Sequence, residues 1–75
     1  MKRSLNAAEI KSLATKMANR QVGKPDSSWP YHLKAKRARV MTGEALAYLS
    51  DERYEVSPRA EKGVRDWASR MMMGY

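Results

Sequence analysis

The sequence predicts an all-α fold: a small single-domain bundle of three to four short helices over residues 1–75. Three observations support this prediction. Apolar residues recur at helical spacing in two long segments, and each segment begins at a capping residue and ends at a glycine. A chain of this length makes one domain at most. It has no cysteine, so no disulfide supplements its core, and the helices must pack well.

The first helix is predicted over residues 7–22. Asn6 is a good N-cap, and Glu9 lies three residues on, where it completes a capping box. Gly23 supplies a left-handed stop, and Pro25 follows it. The apolar residues that recur on one side of this helix are Ile10, Leu13, Ala14, Met17 and Ala18.

A loop is predicted over residues 23–30, and a second helix follows it. Ser28 is the predicted cap of this helix, and Pro30 stands in its first turn, where a missing N–H is harmless. Residues 31–41 favour a helix by composition but are only weakly amphipathic, since mainly charged residues separate Leu33 from Val40. An irregular basic arm is the alternative for this segment.

Thr42 and Gly43 mark a predicted boundary, because threonine caps helices and a glycine inside a helix costs about 1 kcal/mol. A third helix is predicted from Glu44 to about Arg53. The alternative is one continuous helix that passes through Gly43 with a bend. Residues 54–56 read as a short extended connector.

The last helix is predicted to begin with Ser57 as its cap and Pro58 at its first position. Gly74 ends it, although Gly63 lowers its intrinsic stability. Its apolar stripe consists of Ala60, Val64, Trp67, Ala68 and Met71.

The two ends of the chain are predicted to be less regular. Residues 1–5 read as a basic tail, and residues 72–75 as a flexible apolar C-terminus. Within that end, Met71 is expected to fold back on the domain, whereas Met72 and Met73 are expected to form part of a partner surface.

The net charge of +7 is distributed unevenly along the chain. Residues 1–41 contain ten basic residues against Glu9 and Asp26, a net charge of +8. Residues 42–75 contain five basic and six acidic residues, a net charge of −1. Solubility alone needs no such segregation, so the asymmetry indicates an interaction surface for a polyanion.

The densest basic cluster is Lys34, Lys36, Arg37 and Arg39. On a helix these side chains spread around more than half of the circumference, which suits a rod in a groove lined by phosphates on both sides. The alanines between them are expected to let the backbone approach the partner closely. Supporting contacts are expected from Lys2, Arg3, Lys11, Lys16, Arg20 and Lys24.

Trp29, Tyr31 and His32 lie directly before this cluster. They have the chemistry to stack on bases or on a sugar edge. For the aromatic residues we favour the simpler interpretation, in which Trp29 and Tyr31 cover the small core.

A second DNA-binding pattern occupies residues 42–70, where two apolar helices flank a polar connection, as in a helix-turn-helix. Against it, the connection over residues 50–55 is acidic and longer than the usual three to four residues. The groove-facing candidates in this alternative are Arg59, Lys62, Arg65 and Ser69.

Catalysis is not expected. Asp51, Glu52 and Glu55 form a carboxylate cluster without a second polar anchor, and Ser57 has a capping role that makes it a poor nucleophile. The chain has no glycine-rich phosphate loop. Because His32 is the only histidine and cysteine is absent, we expect neither a metal site nor a cofactor.

These observations predict a small basic nucleic-acid-binding protein, an accessory or regulatory factor of phage, plasmid or other prokaryotic type, that contacts the phosphates of DNA or RNA. The alternative is a protein-binding modulator or inhibitor that docks its basic face on an acidic surface of a larger enzyme. Whether the protein forms a homodimer stays open. We expect a cytoplasmic location and no membrane contact, because no apolar run reaches about 20 residues and no signal peptide is recognisable.

Overall fold

Three helices and one pair of very short strands make up the protein in the computed structural model, which describes residues 2–74. The elements in chain order are β1 (Arg3–Ser4), α1 (Ala7–Gln21), α2 (Tyr31–Leu49), β2 (Tyr54–Glu55) and α3 (Pro58–Met73). The predicted all-α, single-domain bundle is therefore confirmed. No helix within residues 2–74 has the length and apolar character that crossing a bilayer requires.

Helix α1 has the predicted ends. The Asn6 side chain accepts a hydrogen bond of 2.8 Å from the backbone N–H of Glu9, and the Glu9 carboxylate accepts one of 3.1 Å from the N–H of Asn6. At the other end Gly23 has a φ of 124°, a backbone conformation that favours glycine. Its N–H donates to the carbonyl of Ala18 at 3.3 Å.

Helix α3 also begins as predicted, since the Ser57 hydroxyl accepts a hydrogen bond of 3.1 Å from the N–H of Ala60. The predicted cap of α2 is wrong. Both the N–H and the hydroxyl of Ser28 donate to the Asp26 carboxylate at 2.9 Å, which lowers the pKa of Asp26. Because Ser28 closes a turn within the loop, α2 begins at Tyr31, and Pro30 is its N-cap residue without a side-chain hydrogen bond.

Helix α2 continues through Gly43 as far as Leu49. The separate helix predicted from Glu44 to Arg53 is wrong, and the alternative of one continuous helix is confirmed. The Thr42 hydroxyl donates back to the carbonyl of Ala38 at 2.8 Å instead of capping a new helix. Burial of Met41 and Ala45 on either side of Gly43 offsets the cost of about 1 kcal/mol for a glycine.

The segment predicted as a basic tail contains an ordered strand. Arg3 and Ser4 pair in parallel with Tyr54 and Glu55, so the predicted extended connector is one strand of this pair. The N–H of Leu5 donates to the carbonyl of Glu55 at 3.0 Å, and the Leu5 side chain is 3% exposed in the core. Two strands this short are marginal alone. We infer that burial of Leu5 holds them in place.

Alanine dominates the core. Among residues 2–74, six of the ten buried apolar residues are alanines, and small side chains at a helix contact allow the axes to approach closely. The buried alanines are Ala14, Ala18, Ala35, Ala38, Ala45 and Ala68. The other buried apolar residues are Leu5, Ile10, Met41 and Val64.

The helices run antiparallel to their neighbours in the chain. Thr15 of α1 lies against Met41 of α2, with its hydroxyl 3.4 Å from the sulfur. The Thr42 hydroxyl lies at the same distance from the sulfur of Met72 in α3. Helix α3 extends to Met73, so residues 72–73 are helical rather than irregular, and Tyr75 lies outside the described residues.

The terminal methionines differ in exposure. Met71 packs against the core, which confirms its predicted fold-back. Met72 is 46% exposed and Met73 is 86% exposed, so their predicted role in a partner surface stays a prediction.

The Leu5 side chain provides a test of the ordered N-terminal segment. Leu5→Ala is expected to destabilise the protein by about 2–4 kcal/mol, because it removes buried methyl groups and leaves a cavity. Lys2→Ala, at an exposed neighbouring position, is the control and should leave stability unchanged. Urea denaturation measures the free energy of unfolding of both variants and of the wild type. Equal stability of the Leu5 variant and the wild type would show that this segment is a tail.

Candidate polyanion-binding surface

Positive charge is concentrated toward one end of the antiparallel bundle. We define the basic half as residues 14–40 and 66–74, which comprise the loop, the ends of α1 and α3, and the first part of α2. It contains eight basic and two acidic residues, a net charge of +6. The remaining described residues, 2–13 and 41–65, contain seven basic and six acidic residues, a net charge of +1.

The ion pairs among the described residues neutralise other cations. They join Arg3 to Glu9 at 3.9 Å, Arg53 to Asp51 at 2.7 Å, Lys62 to Asp66 at 3.2 Å and Arg65 to Glu61 at 3.0 Å. Each basic partner lies outside the basic half. These are surface pairs, which contribute little to stability, but they reduce the positive field around α3 and its preceding connector.

Six cations of the basic half are exposed, and none of the ion pairs among residues 2–74 includes them. They are Lys16, Arg20, Lys24, Lys36, Arg39 and Arg70. Five of these were candidates in the sequence. Arg70 was not, because its place beside the first turn of α2 depends on the antiparallel packing of α3, to which no local sequence signal points.

Arg37 of the predicted cluster is half-buried and forms hydrogen bonds within the protein. Its guanidinium donates to the Asn19 side chain at 2.7 Å and to the carbonyl of Gly23 at 3.2 Å. The carbonyl groups at a helix C-terminus lack partners within the helix, and a cation there also complements the helix dipole. Arg37 therefore fastens the end of α1 to α2, a role that the sequence did not indicate.

Lys34 is also half-buried. It lines a shallow depression together with Trp67, Arg70 and Met71, between the first turn of α2 and the last turns of α3. Only Lys36 and Arg39 of the predicted cluster lie on the exposed side of α2. They are three residues apart, which places them side by side, with about 5–6 Å between their Cβ atoms.

The alanines of this cluster face inward. Ala35 is 8% exposed and Ala38 is 2% exposed, so both pack against the other helices. The prediction that they let a partner approach the backbone is therefore wrong. The prediction that basic side chains contact phosphates around more than half of the circumference of this helix is wrong for the same reason, because α1 and α3 leave only one side of α2 exposed.

The basic residues that the sequence predicted as supporting contacts also differ in exposure. Lys16, Arg20 and Lys24 are exposed. Lys11 is half-buried, and its ammonium lies 5.9 Å from the ring centroid of Trp67, a cation–π contact that links α1 to α3.

The aromatic candidates have different surroundings. The Trp29 ring is half-buried and packs on Gly23, where a Cβ atom would lie 3.4 Å from its Cζ2. This contact agrees with a packing role for Trp29. Tyr31, in contrast, is 62% exposed at the first residue of α2, and His32 beside it is also exposed.

The alternative helix-turn-helix residues are all exposed on α3. However, Lys62 and Arg65 are each paired with an acidic residue one turn away. The connection between α2 and α3 comprises residues 50–57 and contains β2, whereas a helix-turn-helix has a turn of three to four residues. The ion pairs therefore argue against Lys62 and Arg65 as base-contacting residues. The long connection argues against a helix-turn-helix, and with it against Arg59 and Ser69 in that role.

The carboxylate cluster after α2 is partly neutralised by its own neighbour. The Asp51 side chain accepts hydrogen bonds from the backbone and the guanidinium of Arg53, and these lower its pKa to about 2. This arrangement leaves Asp51 ionised at neutral pH and fastened to an exposed arginine.

Comparisons with models of protein families, with curated proteins and with solved structures give no match for this chain. The interpretation of the basic half therefore depends on its own geometry and charge.

The Arg37 contact can be tested without changing the charge. Arg37→Lys is expected to cost about 1 kcal/mol, or roughly 4–8 °C in Tm, because lysine lacks the planar fork that bonds Asn19 and Gly23 together. The matched control is Arg39→Lys, at an exposed position of the same helix, which should leave the Tm unchanged. A Tm equal to that of the wild type in the Arg37 variant would contradict the structural role.

Proposed function

We propose that this protein binds nucleic acid through phosphate contacts of its basic half and acts as an accessory or regulatory factor. The observation that carries the proposal is the group of six exposed cations that take part in no ion pair among the described residues. Such cations lose no internal partner when they bind a phosphate.

The physical basis is electrostatic. A surface with a net charge of +6 on one half attracts a polyanion from a distance and orients it during the encounter. Each phosphate that a lysine or arginine neutralises releases condensed counterions, and this release supplies most of the affinity of sequence-independent binding. Arrangement of the cations on one half lets several of them contact the same nucleic acid together.

The rival function is docking on an acidic surface of a larger protein. Three exposed apolar side chains support it, namely Leu46, Met72 and Met73, of which Leu46 and Met72 line one groove between α2 and α3. An acidic protein partner would satisfy the same cations as a nucleic acid. The two functions are separated by the salt dependence of binding to nucleic acid.

Binding of labelled duplex and single-stranded nucleic acid across a salt series tests the proposal. If four to six phosphates are neutralised, a plot of log affinity against log salt concentration should have a slope of roughly −3.5 to −5.5 for duplex. Absence of binding at low salt would contradict the proposal and leave the acidic protein as the partner.

Two charge-matched double variants test the location. Lys36→Gln with Arg39→Gln is expected to make the duplex slope less steep by about 2, since two phosphate contacts are lost. Lys62→Gln with Arg65→Gln removes the same charge from exposed positions of α3 and should change the slope little, because these cations are already paired. Equal effects of both variants would show that net charge matters and the location does not.

A further inference from the structure

We infer that the exposed side of α2 lies in the major groove of a B-form DNA duplex, with Gly43 at the point of closest approach. This inference rests on the proposed function and specifies its partner and its contact element. We define the outer face of α2 as its exposed residues after Tyr31, which are His32, Lys36, Arg39, Gly43, Leu46 and Ala47.

The outer face has the charge that a duplex requires. It contains two cations without ion pairs among the described residues, and it contains no acidic residue. Glu44, the acidic residue of α2, is half-buried and lies next to Tyr48, whose pKa is raised first by burial and then by this carboxylate. A phosphate approaching the outer face therefore meets Lys36 and Arg39 without a carboxylate between them.

Packing among residues 2–74 does not require a glycine at position 43. A Cβ atom built at this position would meet nothing within 4 Å, and the backbone there is helical rather than left-handed. Glycine in the middle of a helix is unfavourable relative to alanine, so neither packing nor conformation explains the residue. Its missing side chain leaves space on the outside of the protein, one turn after Arg39 and one turn before Ala47.

The kind of nucleic acid follows from what the outer face lacks. Proteins that bind single strands stack bases on exposed aromatic rings. On the outer face such a ring occurs at His32, next to the 62% exposed Tyr31 at the start of α2, whereas the part of the face from Lys36 to Ala47 has none. Trp29 packs on Gly23, and Tyr48 packs edge-on against Tyr54 with 5.4 Å between ring centroids. The major groove of B-DNA is about 12 Å wide and admits an α-helix, whereas the major groove of A-form RNA is too narrow.

The hydrogen bonds of Arg37 between α1 and α2 position further cations beside the outer face. Because Arg37 bonds both Asn19 and Gly23, it holds their chain neighbours Arg20 and Lys24 close to the first half of α2. A helix segment from His32 to Ala47 is about 22 Å long. Cations beside such a segment meet the phosphates that border the groove, while the outer face enters it.

Two glycine substitutions separate the partner contact from the fold. Gly43→Ala and Gly63→Ala each replace a glycine inside a helix, and each should raise the Tm by roughly 2–6 °C. The added methyl group at Gly63 would make an ordinary contact of 3.7 Å with Ala7 inside the protein. Gly43→Ala should nevertheless weaken binding to a short DNA duplex about tenfold, because its methyl group enters the closest contact. Gly63→Ala should leave that affinity unchanged.

Fluorescence anisotropy with labelled duplex and single-stranded DNA gives the affinities, and Gly43→Leu provides a larger probe that should weaken duplex binding further. If Gly43→Ala and Gly43→Leu bind duplex as tightly as the wild type does, the inference is overturned while the proposed function stands. Equal weakening for duplex and single strands would overturn the assignment to a duplex.

Sedimentation analysis tests whether a second copy of the protein, and not DNA, binds to the outer face. If Gly43→Leu converts a dimer into monomers and leaves duplex affinity unchanged, the outer face is a contact between two copies and the inference is overturned. A wild-type protein that binds no nucleic acid at low salt would overturn the proposed function itself, together with this inference.

Discussion

Close packing of alanine methyl groups is the constraint on which the rest of the structure depends. Ala35, Ala38 and Ala45 of α2 are all buried, and they allow α1 and α3 to approach the same helix from two sides. Only one side of α2 then stays exposed. The charged residues of that side, Lys36 and Arg39, owe their position to the alanines around them, so the core determines which cations a partner can reach.

Local signals in the sequence were sufficient for the helix ends that side chains cap. Asn6 and Ser57 cap α1 and α3 as predicted because each bonds a backbone group three residues away. The predicted break at Gly43 was wrong because burial of Met41 and Ala45 in the core outweighs the low helix propensity of the glycine. Strand β1 was missed for a similar reason, since its order depends on the burial of Leu5 in a core formed by all three helices.

The candidate surface was predictable in its charge but not in its orientation. The sequence predicted that Leu33 and Val40 form the apolar side of the second helix, but both are only half-buried in the structure. It also predicted that the alanines of this helix face outward. Alanine is compatible with either side of a helix, so periodicity could not resolve the choice. The internal bonds of Arg37 were equally hidden, because Asn19 and Gly23 are distant from it in the chain.

The most direct test of DNA binding through α2 is to map the residues that a duplex contacts. In an NMR titration of ¹⁵N-labelled protein with a short duplex, binding through α2 predicts the largest changes in amide chemical shift at Lys36, Arg39 and Gly43, on the exposed side of this helix. Changes centred instead on Lys62 and Arg65 of α3, with α2 unaffected, would contradict it.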